Sequence, residues 1–475
     1  MASRVSRMSV GIVGGGITGL ATHHYLRESG VESVVFEADD EPGGVVRSEE
    51  RDGRVLDFGP QRTRLTPSIR ELVESLGLES ELRRAGDPPL YVYRDGKLRL
   101  VPQSPREAVT TDLLSWRGKA RALLEPLTGP ARTGEGGGAS GSESDDGGES
   151  NDGGESNDGG ESVEEFLTRK FGSEVARYYF GPLYGGLYGS HPDEMPVEYS
   201  LAKALKKANI EGSVLTSVAR KVLDGREKPP VVSFDAGLQR LPEALAAAHD
   251  ESVLLGTPVR GIRREEDRER DPEGDGEFAV KTDDGEMRVD RLVVTTPADV
   301  TATLLRDLAP ESAAALRELH YNPQVVVHLL AEADLTGAGY QVQYDEEFRT
   351  LGTTWNASLL DRDGVYTCYL GGSRHPELVE RRDDELGSLA AEEFEEITGY
   401  EARAVSVYRL RRGMPAYDRS WSALDGLSVP EGVRLCTNYT SRAGIPGRIR
   451  EAKKTAKELM LQHESPIEEA PAVTA

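Results

Sequence analysis

Cysteine is nearly absent: the 475-residue chain has two, Cys368 and Cys436, far apart and in no ligand spacing. That excludes a disulfide framework and a cysteine-based zinc site. Histidine is sparse too, with eight in all. His23 and His24 are neighbours, so on a helix they point about 100° apart and make no i, i+4 ligand pair. No metal is expected. No apolar run approaches the roughly 18–20 residues of a membrane span. The opening MASRVSRMSVGIVGGG has two arginines but turns directly into an apolar strand and glycines. It lacks the apolar stretch and cleavage site of a signal peptide, which makes a cytoplasmic location the expectation. Lysine is scarce, twelve against forty-five arginines, under a net charge of −25. Such a surface repels nucleic acid phosphate and excludes that partner class. It also weakens attraction to anionic lipid at low salt. The acidity fits adaptation to high salt, where screening shortens carboxylate repulsion, or a simpler bias towards solubility. No Ser/His/Asp triad, paired-carboxylate signature or cysteine nucleophile is apparent.

What is present suffices for two or three units with a sizeable core. Ser9–Val13 reads as a short strand, Ile17–Glu28 as a helix and 33–36 as a second strand. Further helices are expected at 68–76, after Pro67, and at 163–171. Residues 90–93 and 98–101 flank Asp95-Gly96, a hairpin signal. Other strands are expected at 253–255, 278–281, 292–295, 325–330, 365–370 and 405–410. Between 133 and 162 there is almost nothing apolar, and GGESND occurs at 147–152 and again at 153–158. Burial there cannot offset the entropy of ordering, so a disordered acidic loop within a domain is expected.

Gly14-Gly15-Gly16-Ile17-Thr18-Gly19 is a G-x-G-x-x-G turn between strand and helix. The first glycine permits the tight turn, the second lets a pyrophosphate approach the backbone, and the third lets helix and strand pack closely. The helix N-terminus then offers free N–H groups and partial positive charge to the phosphates. Glu37 ends the second strand eighteen residues after Gly19, where a carboxylate binds ribose hydroxyls. Ala38 follows, and within ten residues come Gly43, Gly44, Val45 and Arg47. A Gly-Gly bend against the cofactor, with an arginine for the pyrophosphate, separates FAD from NAD.

With this extended motif the chain resembles the flavin amine oxidase superfamily. Asp57-Phe58-Gly59-Pro60-Gln61-Arg62 is similar to the family's glycine–proline loop beside the flavin ring. Phe234-Asp235-Ala236-Gly237-Leu238-Gln239 resembles its glycine-leucine-glutamine segment, after which 253–259, ending at Val259, would reach the adenine. Residues 291–298 resemble its apolar strand followed by Pro-Ala. Near the end, Leu435-Cys436-Thr437-Asn438-Tyr439, then Ala443-Gly444-Ile445-Pro446 and a helix to about 462, resemble the C-terminal motif aimed at the flavin's pyrimidine end. Thr437 stands where the family commonly has glycine, and Glu451-Ala452 where Ser-Gly is usual.

The resemblance implies an α/β fold of two interleaved domains. A Rossmann-like FAD-binding domain would take 1–90, 231–299 and 405–465. An α+β substrate domain, a mixed sheet with a helical lobe, would take 91–230 and 300–404, and 466–475 would be a disordered tail. Within the superfamily the chain is most similar to the oxygen-dependent protoporphyrinogen oxidases, including those oxidising coproporphyrinogen. The signals are Gly59-Pro60 followed by a helix and Leu76-Gly77-Leu78, the Tyr91-Val92-Tyr93 hairpin, Gly181-Pro182-Leu183-Tyr184-Gly185-Gly186, and Met414-Pro415-Ala416-Tyr417.

What this implies is non-covalent FAD, a tetrapyrrole precursor as small-molecule substrate, hydride transfer from its C–H to flavin N5, and reoxidation by oxygen or another acceptor. No catalytic base is assigned. Leu90 stands where many members have an arginine proposed to meet a propionate; Arg64, Arg99 and Arg374 are the candidate substitutes. An amine or polyamine oxidase, or a carotenoid desaturase, would share every cofactor motif; Tyr417 and Trp421 would then contribute an aromatic cage. A non-catalytic flavin-dependent carrier or assembly partner is a third alternative. Oligomeric state and contact with a membrane surface stay open.

Overall fold

The computed structural model describes residues 8–86, 88–128, 160–202, 205–206, 210, 212–223, 228–265, 277–441 and 443–464. The expected disordered loop lies outside these residues except for 160–162, and the expected tail at 466–475 lies outside them as well.

Five parallel strands form the sheet that positions the site: β1 (Ser9–Val13), β2 (Glu32–Phe36), β3 (Val253–Leu254), β4 (Arg291–Val294) and β5 (Val433–Leu435), in the order β3-β2-β1-β4-β5. β1 and β4 are almost wholly buried, the pattern of a parallel sheet covered on both faces. Helix Ile17–Glu28 follows β1, and helix Ile445–Glu464 follows β5. The two pack together through Ile17, Leu20 and Ala21 on one and Ile445, Ile449 and Ala452 on the other. First and last helices of the chain therefore share one core, and both start at the carboxyl edge of the sheet, where open α/β folds bind ligands.

A second, mixed sheet has seven strands, in the order Arg403–Pro415, Tyr321–Leu330, Val365–Gly371, Thr350–Thr354, Gly339–Val342, Leu90–Arg94 and Lys97–Leu100. Leu90–Arg94 and Lys97–Leu100 form the hairpin signalled by Asp95-Gly96. The strand Arg403–Pro415 crosses the expected boundary at 405 and pairs with Tyr321–Leu330, so it lies with this sheet. Three short ladders complete the β-structure; in one of them Val231–Phe234 joins Thr63–Arg64 to Leu82–Ala85. A separate core of Phe166, Phe171, Met195, Leu316, Tyr417 and Trp421 lies under helices Val163–Phe171 and Pro310–Arg317. Among the described residues no helix is long and apolar enough to cross a membrane.

Candidate functional site

The glycine turn after β1 is built as its residue types require. Gly14 has φ +110°, and a Cβ on Gly19 would lie 1.9 Å from the Gly14 carbonyl oxygen, so helix and strand close up only with glycine there. Thr295, just past β4, donates its hydroxyl to the Val13 and Gly14 carbonyls at 3.0 and 2.9 Å and fixes the turn from the neighbouring strand. The helix beginning at Ile17 has no side-chain cap and no acidic residue in its first turn, which leaves its positive end for an anion. Thr18, Ile17 and Gly19 are buried in that turn.

Glu37 is 9% exposed and sits where the sequence placed it, at the end of β2. Its carboxylate accepts from the Gly15 N–H at 2.5 Å and the Asp39 N–H at 2.9 Å. Burial raises its pKa, while those backbone donors pull it down. Its backbone ties the turn to β3: Glu37 N–H donates to the Leu254 carbonyl at 2.9 Å, and Thr257 N–H donates to the Glu37 carbonyl at 2.7 Å. Val259, beyond β3, is partly buried against Phe36 and its neighbours. Ala38 is exposed on the turn that follows Glu37.

The second glycine pair comes back onto the first. Gly43 N–H donates to the Gly15 carbonyl at 2.9 Å, and Gly16 and Gly43 form a parallel bridge. A Cβ on Gly16 would have only the Gly43 carbonyl oxygen nearby, at 3.9 Å, so an open slot lies over this crossing. Val45 is 55% exposed, and its carbonyl lies so close to Gly59 that a Cβ there would sit 1.8 Å away. Gly59-Pro60 is thereby clamped onto the Gly43-Gly44 bend. Arg47, expected to meet a pyrophosphate, forms an ion pair of 3.1 Å with Glu41 at the surface, its side chain 45% exposed.

Gln61 and Arg62 lie between this loop and the second sheet. Gln61 donates its amide N–H to the Tyr369 hydroxyl at 2.8 Å, and its own side-chain oxygen, buried, has no hydrogen-bond partner among the described residues. Arg62 makes no ion pair among the described residues; burial lowers its pKa, Tyr369 opposes this and Arg64 adds to it. An unsatisfied buried acceptor and a partly buried guanidinium on successive residues make Gln61 and Arg62 a candidate place for a ligand. The arginines offered as substitutes at the Leu90 position are otherwise engaged: Arg99 pairs with Asp112 at 2.7 Å, exposed Arg64 donates to the Pro229 carbonyl at 2.9 Å, and Arg374 donates to the Glu346 carbonyl at 3.3 Å over the Tyr344 ring. Burial was the missing signal: the sequence named Arg62 as a cofactor contact without showing that, among the described residues, it makes no ion pair.

At the other end of the chain, Asn438 accepts from the Tyr321 hydroxyl at 3.1 Å, and Ala443-Gly444-Ile445-Pro446 open the last helix. A Cβ on Gly444 would meet nothing within 4 Å. Thr437, in the family's glycine position, is buried and bonded to Thr440. The aromatic residues nearby are packed: Tyr417 stacks on Trp421 with centroids 4.3 Å apart, and the Tyr439 hydroxyl donates to Thr301 at 2.9 Å. Tyr417 holds φ +54°, an uncommon conformation for a bulky residue.

A family model described as flavin containing amine oxidoreductase matches residues 17–460. The chain is 28% identical over 460 residues to protoporphyrinogen oxidase 2, chloroplastic/mitochondrial, of Arabidopsis thaliana, covering 88% of this chain and 86% of the relative. It is 23% identical to coproporphyrinogen III oxidase of Staphylococcus aureus, covering 96% and 99%. Its fold superposes with a TM-score of 0.73, at 22% identity and over 96% and 99% of the two chains, on a crystal structure from Exiguobacterium sp. 255-15 provisionally assigned as a protoporphyrinogen oxidase. Cyclohexylamine oxidase from Brevibacterium oxydans superposes with a TM-score of 0.66 at 17% identity, over 97% and 100%.

Proposed function

Because the chain belongs to the family of flavin containing amine oxidoreductases, and is on that ground a flavin-dependent oxidoreductase, we propose that it oxidises a porphyrinogen, with FAD held non-covalently. The substrate class is supported by the relatives, which are named as protoporphyrinogen and coproporphyrinogen oxidases. The cofactor reading is carried by one observation: the first and last helices pack side by side and start at the same edge of one sheet, each behind a glycine with empty space over it.

The residues fit that cofactor. Glu37 would take ribose hydroxyls, with Ala38 beside it and Val259 under the adenine. Gly14, Gly15, Gly16, Ile17, Thr18 and Gly19 would cradle the pyrophosphate with Gly43, Gly44, Val45 and Arg47 opposite, Arg47 exchanging Glu41 for phosphate. Gly59, Pro60, Gln61 and Arg62 would border the ring from one side, and Asn438, Ala443, Gly444, Ile445 and Pro446 from the other. The bound flavin supplies an acceptor for a hydride from substrate carbon. The chain contributes position, exclusion of water and charge: the last helix directs its positive end at the ring's pyrimidine side, and Arg62 adds a partly buried cation. Cys436 is unsuited to a covalent link, since its thiol is buried, raised in pKa by that burial, and bonded by Thr455 at 3.5 Å. In this reading the FAD-binding part takes about 1–90, 231–299 and the chain after Pro415, and the substrate part takes the rest.

Anaerobic mixing with protoporphyrinogen, coproporphyrinogen, spermine and phytoene, with the flavin absorbance followed, tests the substrate. Bleaching by a porphyrinogen supports the proposal, and bleaching by spermine or phytoene alone overturns it. Acid precipitation should leave the yellow colour in the supernatant; colour retained on the protein contradicts non-covalent binding.

A further inference from the structure

The far end of the first helix carries a second cluster that the flavin chemistry does not use. The sequence pattern set aside His23 and His24 as a ligand pair, but folding adds two groups. Glu28 follows His24 by four residues on the same helix, and His249 arrives from the segment after helix Arg240–Ala247. One donor atom from each of His24, Glu28 and His249 lies within 4.8 Å of the other two. His249 Nε2 and His24 Nδ1 are 3.3 Å apart. Two nitrogens bound to one tetrahedral zinc at about 2.0–2.1 Å stand about 3.3–3.4 Å apart, so the rings already have ligand spacing. The second nitrogen of His24 faces the Ser75 hydroxyl at 3.4 Å, the outer partner that metal-bound imidazoles usually have. His23 is excluded as a ligand because its nitrogens face Ser33 at 2.8 Å and Ser252 at 3.1 Å.

We propose that His24, His249 and Glu28 form a binding site for a divalent cation of the zinc class, the fourth position going to water. The donor set of two imidazoles and a carboxylate suits that ion. His24 is buried, His249 half-buried and Glu28 exposed, so the ion enters from solvent and is held from the inside. The site is structural. It ties the first helix to the segment running into β3, whose Leu254 carbonyl and following Thr257 N–H hold the Glu37 backbone. It lies about 10 Å along the helix from the phosphate end, away from the reacting ring.

The flavin-loaded protein, stripped with chelator, is titrated with ZnCl2 by calorimetry and with Co2+ by visible absorption, and its melting temperature is read with and without zinc. One equivalent of zinc is expected, with a raised melting temperature and the d–d bands of a tetrahedral cobalt centre. His249→Gln and Glu28→Gln weaken the affinity at least tenfold, and Ser75→Ala weakens it about 10-fold. His191→Asn, in the separate Glu164–His191–Asp193 cluster, leaves it unchanged. No binding in the parent, undiminished binding in His249→Gln, or loss only in His191→Asn overturns the proposal. In that case the 3.3 Å contact is a plain N–H···N hydrogen bond.

Discussion

Replacing Asp57 by asparagine tests how the Gly59-Pro60 loop is fastened to the rest of the molecule. Asp57 is fully buried at the end of strand Arg54–Asp57, two residues before Gly59. One carboxylate oxygen accepts from the Ser48 hydroxyl at 2.5 Å and the Leu238 N–H at 2.9 Å; the other accepts from the Arg362 guanidinium. Arg362 is itself only 6% exposed and reaches Ser233 at 3.3 Å. The Asp57 carbonyl accepts from His328 at 3.0 Å, so three distant segments and the paired neighbouring strand meet on one residue. The amide keeps the shape of the carboxylate and removes the charge, which leaves Arg362 as a buried cation without its counter-ion. Breaking a buried pair from one side costs about 3–5 kcal/mol, whereas replacing both members with uncharged groups of similar size is close to neutral. Denaturant unfolding of the flavin-loaded protein should show that loss for Asp57→Asn, and the double variant Asp57→Asn/Arg362→Met should recover most of it. A single-variant cost below about 1 kcal/mol, or a double variant as damaged as the sum of the singles, refutes the argument.

His328 packs edge-on against Phe58, and burial pushes its pKa down from the ordinary 6.5 to about 4, against the opposing hydrogen bond to the Asp57 carbonyl. The neutral ring is the folded form, so its contribution is complete above pH 6.5 and drains away as the pH falls towards 4. The full loss is about 3 kcal/mol, and a melting-temperature profile across that window should flatten in His328→Gln. Gly59→Ala forces a methyl group to within 1.8 Å of the Val45 carbonyl. It should cost at least the upper end of the about 1–3 kcal/mol typical of overpacking, and the purified variant should carry little flavin by absorbance. Arg62→Met should weaken FAD affinity about tenfold or more, as expected for loss of a charged hydrogen-bonding partner at the ring. An unchanged Kd in a flavin fluorescence titration removes Arg62 from the cofactor site.

The first β–α–β unit was legible because local signals agreed there: strand Ser9–Val13 and helix Ile17–Glu28 stand as expected, and β2 starts one residue early at Glu32. The Asp95-Gly96 hairpin and helix Val163–Phe171, with its Ser162–Glu165 capping box, were equally plain. Helix Asp383–Thr398 was missed because its acidic outer face hides the stripe of Leu386, Ala390, Phe394 and Ile397. Strand Thr350–Thr354 contains a glycine and no alternation, since all but its last residue is buried. Helix Gly181–Tyr188 holds three glycines, and Gly185 and Gly186 are there because Tyr344 and Gln341 fill the space a side chain would need. At the site, glycine spacing exposed the turns, and chain order placed Glu37 and Gly444. Only folding could reveal that Arg47 is paired with Glu41, that Arg62 pairs with no carboxylate among the described residues, and that His249 meets His24.

If both ends of the chain grip one flavin, substitutions at Gly16 and Gly444 should report it with little disturbance of the fold. A Cβ added at Gly16 meets only the Gly43 carbonyl oxygen, at 3.9 Å, and one at Gly444 meets nothing within 4 Å, so both positions open onto free space and Gly16→Val and Gly444→Val should change the melting temperature of the flavin-free protein little. FAD affinity, measured by titrating deflavinated protein and following flavin fluorescence, should fall at least tenfold in each variant, because the valine occupies space reserved for the ligand. Parental affinity in either variant would mean that its end of the chain does not touch the flavin.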